Sequence, residues 1–367
     1  MRTKIIATVG PSTFPVIKEV FKTASVARFN FSHRNYAFFK KVIKEIRKHY
    51  EGIPILADLK GPEIRTRDVK THEIKKGDVY VIGKDFDISY EDLAYYVNKG
   101  DIIKIDDGKV ELQVLKTDDK KIEVVGLSEG KLEENKSVNI PGRDIDMPAL
   151  TEQDYEDLDF IKKHDFDYIA QSFVKHGEDV RMLKEYLDKY EALIIAKIEH
   201  QRAIKNLPRI LKESEGVMVA RGDLGVETDI AYLPIYQKQI IEKARNEGKI
   251  VVVATHLLRS MVKDPLPSRA EITDIYYAVS NKPDALMLSE ETAIGYNPVR
   301  AVNYMKHVIE VAENYYFGEE KKPLKLPDMD IQNLIKLISS LEIPRSIKWN
   351  TSSLKKKRWG KLLRGVL

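Results

Sequence analysis

Eight short apolar runs punctuate the chain. In order they are KIIATVG (4–10), SVARFNFS (25–32), IPILADL (53–59), DYIAQSF (167–173), LIIAKIE (193–199), GVMVARGD (216–223), IVVVAT (250–255) and ALMLSEE (285–291). They are rich in β-branched residues, nearly continuous in apolarity and too short for helices. Buried parallel strands read this way. Most are separated by segments such as FPVIKEVFKTA, YAFFKKVIKEIRKHY, EDVRMLKEYLDKY, AIKNLPRILKES and IYQKQIIEKARNEG. These carry apolar residues three and four apart, the helical spacing. Eight β-then-α units predict an α/β fold, a (β/α)8 barrel of the TIM type.

The third unit is interrupted. From about Arg65 to Asp146 the period drops to two, in GDVYVIG and GDIIKIDDGKVELQVLKTDDKKIEVVGL. Asp107-Gly108 and Asp118-Asp119 separate alternating runs, as hairpin turns do. The pattern predicts a small antiparallel β domain inserted after strand three. The chain returns through VNIPGRDIDMPALTEQD, where Thr151 and Gln153-Asp154 open the next helix. The expected layout is a barrel over 1–64 and 147–317, the insert over 65–146, and a linker with a short atypical C-terminal segment over 318–367. In that last part GEEKKPLKLPDMD reads as linker and IQNLIKLISSLEI as a candidate helix. Barrels place their chemistry at the C-terminal ends of the strands, so an insert at that loop is expected to act as a lid.

Composition narrows the setting. Of 367 residues 43% are apolar, enough for a substantial core, and none is cysteine. Disulfides and thiolate metal sites are thereby excluded, and a reducing cytoplasm is the expected location. No apolar run approaches the roughly 18 residues of a membrane span, and the N-terminal run is too short for a signal peptide. The net charge is +4, much of it from Lys355, Lys356, Lys357, Arg358, Lys361 and Arg364 in the tail. Such a run attracts nucleic acid or an anionic surface, but a solvated tail is the plainer reading, and no nucleic-acid or membrane partner is expected.

Polar residues gather where the strands end. Glu199 and Asp223 close the neighbouring fifth and sixth runs. Two converging carboxylates suit Mg²⁺ or Mn²⁺, which take oxygen ligands and keep open positions for substrate. Lys197 lies two residues before Glu199, on the same strand face. Beside a bound metal it would stabilise developing negative charge; a buried ion pair is the plainer alternative. Gly222 permits close backbone approach, and the N–H groups around Arg221-Gly222-Asp223 can hold a carboxylate or phosphate. Arg28 offers a fork for phosphate, and Thr255 and Ser289 offer hydroxyls for carboxylate binding or a proton relay. Asn30, Ser32 and Asp58 form an oxygen-rich set that suits either a monovalent cation or, the preferred reading, an ordered polar network. Together these predict a site for a small anionic substrate carrying carboxylate and phosphate.

The segments KIIATVGPS, VARFNFSH, ADLKGPEIRTR, VNIPG, IIAKIEH, VMVARGDLGVE, DPLPSRAEITD and LMLSEETAIG, in this order, resemble the pyruvate kinase family. The resemblance runs from about residue 3 to 315. It implies phosphoryl transfer from phosphoenolpyruvate to ADP, giving pyruvate and ATP, with Mg²⁺ or Mn²⁺ and with K⁺. It implies that Lys197 stabilises the phosphoryl transition state and the enolate, and that Glu199 and Asp223 hold the divalent ion. Gly222, Asp223 and Thr255 would bind the substrate carboxylate and Arg28 its phosphate. Thr255 and Ser289 would line the proton path, supported by Glu291. Asn30, Ser32, Asp58 and the carbonyl of Leu59 match the K⁺ site. Pro11, Asn30, His33, Arg65 and Lys136 match nucleotide contacts, Arg65 at the lid hinge. A homo-oligomer, dimer or tetramer, would form through barrel contacts.

The sequence departs from the family pattern in places. Leu59 stands where Thr is common, although Glu63 is kept; His256 replaces Gln, Arg259 replaces Glu, and Glu290 replaces the Gly of LSGET. The family adds a C-terminal α/β domain that binds effectors. Only 318–367 stand in its place, so an enzyme without that regulation is expected. Two other readings keep the barrel: a metal-dependent lyase on pyruvate-like substrates, and a non-catalytic descendant.

Overall fold

The computed structural model describes residues 1–118 and 121–318. Eight parallel strands close into a barrel: Lys4–Thr8, Val26–Asn30, Ile55–Asp58, Tyr168–Gln171, Leu193–Ile198, Gly216–Ala220, Ile250–Ala254 and Ala285–Leu288. Each pairs with its neighbours in sequence, and the first closes on the last, Lys4 opposite Ala285 and Ala7 opposite Leu288. The eight apolar runs are thus the eight strands. The runs extend past the strands because their final residues form the loops at the barrel mouth.

Side-chain alternation divides each strand between two cores. Ile5, Ala7, Ala27, Ile55, Ala57, Ile194 and Val217 point outward and pack beneath the helices. Ile6, Leu56, Ala170, Ile195, Met218, Val252, Ala254, Ala285 and Met287 fill the lumen. Two residues beyond the apolar lumen positions come polar ones. Ile6 is followed by Thr8, Leu56 by Asp58, Ala170 by Ser172, Ile195 by Lys197 and then Glu199, and Met287 by Ser289. The mouth is therefore built by parity.

The helices follow local chemistry. Tyr36–His49 is capped by the Asn35 side chain and buries Phe39, Val42 and Ile46. Glu152–Ile161 opens on a capping box between Thr151 and Asp154, as the sequence predicts. The segment 203–214 is not one helix. It breaks at Asn206 between Gln201–Lys205 and Leu207–Glu213, because Pro208 has no N–H to continue the ladder and is accepted only in a first turn. The predicted helix at 14–24 likewise shortens to a 3-10 turn and Ile17–Phe21.

The insert is antiparallel. Its main sheet orders Val138–Asn139, Ile102–Ile105, Val110–Asp118, Lys121–Gly126 and Val79–Ile82. Alternate positions enter a hydrophobic cluster of its own, with Ile103, Val110, Leu112, Val124 and Leu132 at its centre. The hairpin at Asp107-Gly108 is present, with positive φ at Asp106, Asp107 and Gly108. Residue 119 of the second expected turn lies outside the described residues. So do the candidate helix after the linker and the basic tail. No described helix is long and apolar enough to cross a membrane.

Candidate active site

Lys197 stands at the centre of the mouth. Its Nζ lies 2.9 Å from Glu199 Oε1 and 3.1 Å from Asp58 Oδ1, and donates to Ser172 Oγ at 2.6 Å. Burial opposes its charge, but Asp58, Glu199 and Asp223 outweigh that and raise its proton affinity above the ordinary lysine value. The residue is a fixed cation at neutral pH rather than a base. Arg28 completes the ring. Its Nε and Nη2 both lie 2.7 Å from Asp58 Oδ2, and its Nη1 donates to Thr8 Oγ1 at 2.8 Å. Asp58 is 1% exposed, and although burial opposes its ionisation, Lys197 and Arg28 hold its carboxyl below the usual range. The ion pair of Arg28 with Asp58 is buried. Asp58 is the shared anion of two cations, as in the polar-network reading.

The two proposed metal carboxylates line the same small cavity, about 150 Å³, together with Arg28, Asp58 and Lys197. Glu199 is 1% exposed; its Oε2 accepts from the Phe173 N–H at 2.7 Å. Asp223 is pushed up to about 8, by burial first and by Glu199 second. Lys197 opposes that rise, and further positive charge in the cavity would favour the ionised form of Asp223. Among the described residues no cluster of three or more His, Asp or Glu side chains has metal-binding geometry.

Asp223 is not on the strand. The sixth strand ends at Ala220, and Arg221, Gly222 and Asp223 form the first turn of the helix Arg221–Glu227. The apolar run hides this boundary, because Arg-Gly-Asp continues the strand as readily as it starts a helix. The Gly222 N–H donates to Thr255 Oγ1 at 2.8 Å. Arg221 donates to the Thr255 carbonyl at 2.7 Å and pairs with Asp274. Thr255 needs such ties. Its φ is 70°, a left-handed conformation that costs a β-branched residue about 1–3 kcal/mol. His256 and Phe173 share that region, with φ of 55° each, so two mouth loops, those after the fourth and seventh strands, are held in strained turns.

A second cavity of about 560 Å³ adjoins the first and contains Pro11, Asn30, His33, Thr255 and Ser289, with Phe38 and Ile294 as apolar walls. The Ser289 hydroxyl oxygen is buried without a hydrogen-bond partner. Glu291 accepts from the Ser289 N–H at 2.7 Å and from the Leu258 N–H at 3.1 Å, joining the last two mouth loops. Ser32 and Leu59 line the smaller cavity; the Leu59 carbonyl accepts from Ser172, and Asn30 Oδ1 accepts from the Ser32 N–H. Arg65 and Lys136 are not brought into either cavity. Arg65 pairs with Glu63 and donates to the Asn135 carbonyl; Lys136 pairs with Glu133 and Asp106. Both sit where the insert joins the barrel.

Thr8 and Ser172 were missed in the sequence. Both follow a lumen residue by two, so parity alone would have found them.

The family profile described as "Pyruvate kinase, barrel domain" matches residues 1–302. The chain is 39% identical to the pyruvate kinase of Methanocaldococcus jannaschii over 87% of its own length and 71% of that protein's. It is 38% identical to the pyruvate kinase of Clostridium perfringens, with 89% and 74% covered. It is 41% identical to that of Staphylococcus haemolyticus, with 85% and 57% covered. The mouth built around Lys197 and the extent of these matches agree, and the chain belongs to the pyruvate kinase family.

Proposed function

We infer that the chain is a pyruvate kinase, transferring the phosphoryl group of phosphoenolpyruvate to ADP to give pyruvate and ATP. The carrying observation is Lys197, a permanent cation set between Asp58 and Glu199 with Asp223 beside them. Relatives from archaea, bacteria and fungi carry the same name, and neither the lyase nor the non-catalytic reading is favoured.

The family is generally dependent on Mg²⁺ and K⁺. Glu199 and Asp223 would hold Mg²⁺ or Mn²⁺, a choice supported by their place in one cavity and by the raised proton affinity of Asp223. When bound, that ion would supply positive charge that offsets the negative charge of the substrate. Asn30, Ser32, Asp58 and the Leu59 carbonyl would hold K⁺, sharing Asp58 with Arg28 and Lys197.

In the reaction, an oxygen of the ADP terminal phosphate attacks phosphorus. The P–O bond to the enol oxygen breaks, and its electron pair stays on that oxygen as an enolate. Arg28 would steady the phosphoryl oxygens and Lys197 both the phosphoryl group and the enolate; neither needs to move a proton. The Gly222 N–H, Asp223 backbone and Thr255 hydroxyl would orient the substrate carboxylate. The enolate carbon then takes a proton along a path lined by Thr255 and Ser289, whose hydroxyl is free to join it, while Glu291 positions the Ser289 loop. ADP would occupy the larger cavity against Pro11, Asn30 and His33. Arg65 and Lys136 would reach it from the hinge as residues 65–146 close over the barrel of 1–64 and 147–317 as a lid. A cytoplasmic homo-oligomer joined through barrel contacts belongs to the same reading. It is supported by exposed Ile230, Tyr232 and Ile235 at the barrel surface.

A coupled assay for pyruvate tests this. Turnover is expected only with phosphoenolpyruvate, ADP and a divalent ion present, and Lys197→Met is expected to lower it by roughly 10³-fold or more. No ADP-dependent pyruvate formation would overturn the function; a fully active Lys197→Met would overturn the role of the lysine.

A further inference from the structure

The helix Arg221–Glu227 faces two ways. Its first turn carries Gly222 and Asp223 at the mouth, and its last turn meets the insert. There Asn139 Nδ2 donates to Glu227 Oε1 at 2.9 Å, and Lys104 Nζ donates to the Val226 carbonyl at 3.1 Å. Both donors belong to adjacent strands of the insert, Val138–Asn139 and Ile102–Ile105. The Val226 carbonyl is one that a helix end leaves without an internal partner, and a lysine there also suits the helix dipole. Glu227 is 8% exposed, and its second oxygen is buried without a hydrogen bond. That oxygen lies 3.5 Å from His200 Nε2. His200 Nδ1 accepts from the Arg202 N–H, so Nε2 carries the hydrogen and faces both Glu227 and the Arg143 carbonyl. His200 directly follows Glu199.

We propose that Glu227 is a positioning residue: with Asn139 and His200 it links the insert to the two segments that present Asp223 and Glu199. The helix is only two turns long and transmits displacement as a rigid body. Movement of Asn139 and Lys104 with the insert shifts Asp223 at the other end. A shift of roughly 0.5 Å brings the unsatisfied Glu227 oxygen within hydrogen-bond range of His200, so the coupled arrangement is better satisfied than the present one. Insert closure thereby sets the spacing of the two carboxylates. This rests on the assignment of Asp223 and Glu199 as the metal ligands.

The test measures Mn²⁺ binding to the substrate-free protein by the paramagnetic resonance signal of free Mn²⁺, with steady-state kinetics alongside. Asn139→Asp sets two carboxylates face to face. It is expected to weaken Mn²⁺ binding at least tenfold, on the order seen when partners behind metal ligands are lost, and to lower kcat/KM in parallel. Adding Glu227→Gln reverses donor and acceptor and is expected to restore both to within about threefold. Unchanged Mn²⁺ affinity in Asn139→Asp, or no recovery in the double variant, overturns the proposal. Should Asn139→Asp fail to fold, Lys104→Ala removes the second tie without adding charge. Weakened Mn²⁺ binding is expected there too, and unchanged binding overturns the proposal. Asp223→Asn separates the two readings. If it leaves Mn²⁺ binding intact, the ligand assignment itself falls. If it abolishes binding while the Asn139 and Lys104 variants bind normally, only the coupling falls.

Discussion

Asp157 has no exposed surface, and one of its oxygens is buried without a partner. Tyr36 donates to the other oxygen, and Arg34 lies 3.8 Å away. Burial pushes its carboxyl up to about 6 from an ordinary 3.8, with the Tyr36 bond and Arg34 opposing the rise. The folded value lies above the unfolded one, so folding takes up a proton between them. Stability therefore falls as pH rises from 3.8 to about 6, and the full cost, at most about 3 kcal/mol, stands at neutral pH. Asp157→Asn keeps an acceptor for Tyr36 without the charge. It is expected to raise the melting temperature by a few degrees at pH 7.5 and to lose that advantage near pH 4. An equal effect at both pH values would show that charge is not the cause. In the sequence Asp157 is an ordinary acidic residue of an amphipathic helix; nothing local marks it as buried. Lys197 and Glu199 were legible because short-range spacing places them together at the end of one strand; Asp223 was legible as an acid closing the next apolar run, although it falls in the helix that follows the strand. The sharing of Asp58 by Arg28 and Lys197 was not, since its members come from three strands far apart in sequence.

Among the elements, the helix Arg221–Glu227 does most to shape the site. A Cβ on Gly222 would meet only Thr255 side-chain atoms, the nearest at 3.6 Å, an ordinary contact. The protein itself therefore does not demand glycine there, and a substrate approaching the backbone would. Gly222→Ala is expected to fold with a melting temperature within about 2 °C of the parent, and to raise KM for phosphoenolpyruvate by roughly tenfold or more. An unchanged KM would remove the close-approach role. Gly10 is the opposite case. Its Cβ would lie 2.4 Å from the Ala293 carbonyl oxygen, so packing of the first mouth loop against the last requires glycine. The strands, the capped helices and the hairpin at Asp107-Gly108 were readable because period, caps and turn residues are local. The strand-to-helix switch at Arg221 was not, because both states tolerate the same three residues.

The molecule as described divides its apolar interior between the barrel, beneath the helices and in the lumen, and the insert, which has a cluster of its own. Replacing residues 65–146 with a short Gly-Ser linker should leave the first intact. Such a chain is expected to unfold cooperatively, yet to lose ADP-dependent turnover by at least about 10²-fold, since positioning of the nucleotide goes with the insert. Loss of cooperative unfolding would show that the barrel depends on the insert for its stability. By itself the sequence determined the eight strands, the helices between them, the insert and the residue types at each strand end. These follow from period, capping and turn chemistry within a few residues of chain. The tertiary structure alone decided which of those residues meet. Closing eight strands into a ring brings Thr8, Arg28, Asp58, Ser172, Lys197 and Glu199 to one mouth. Enclosure there, away from water, couples their charges and gives Asp223 and Lys197 proton affinities that no short peptide would show.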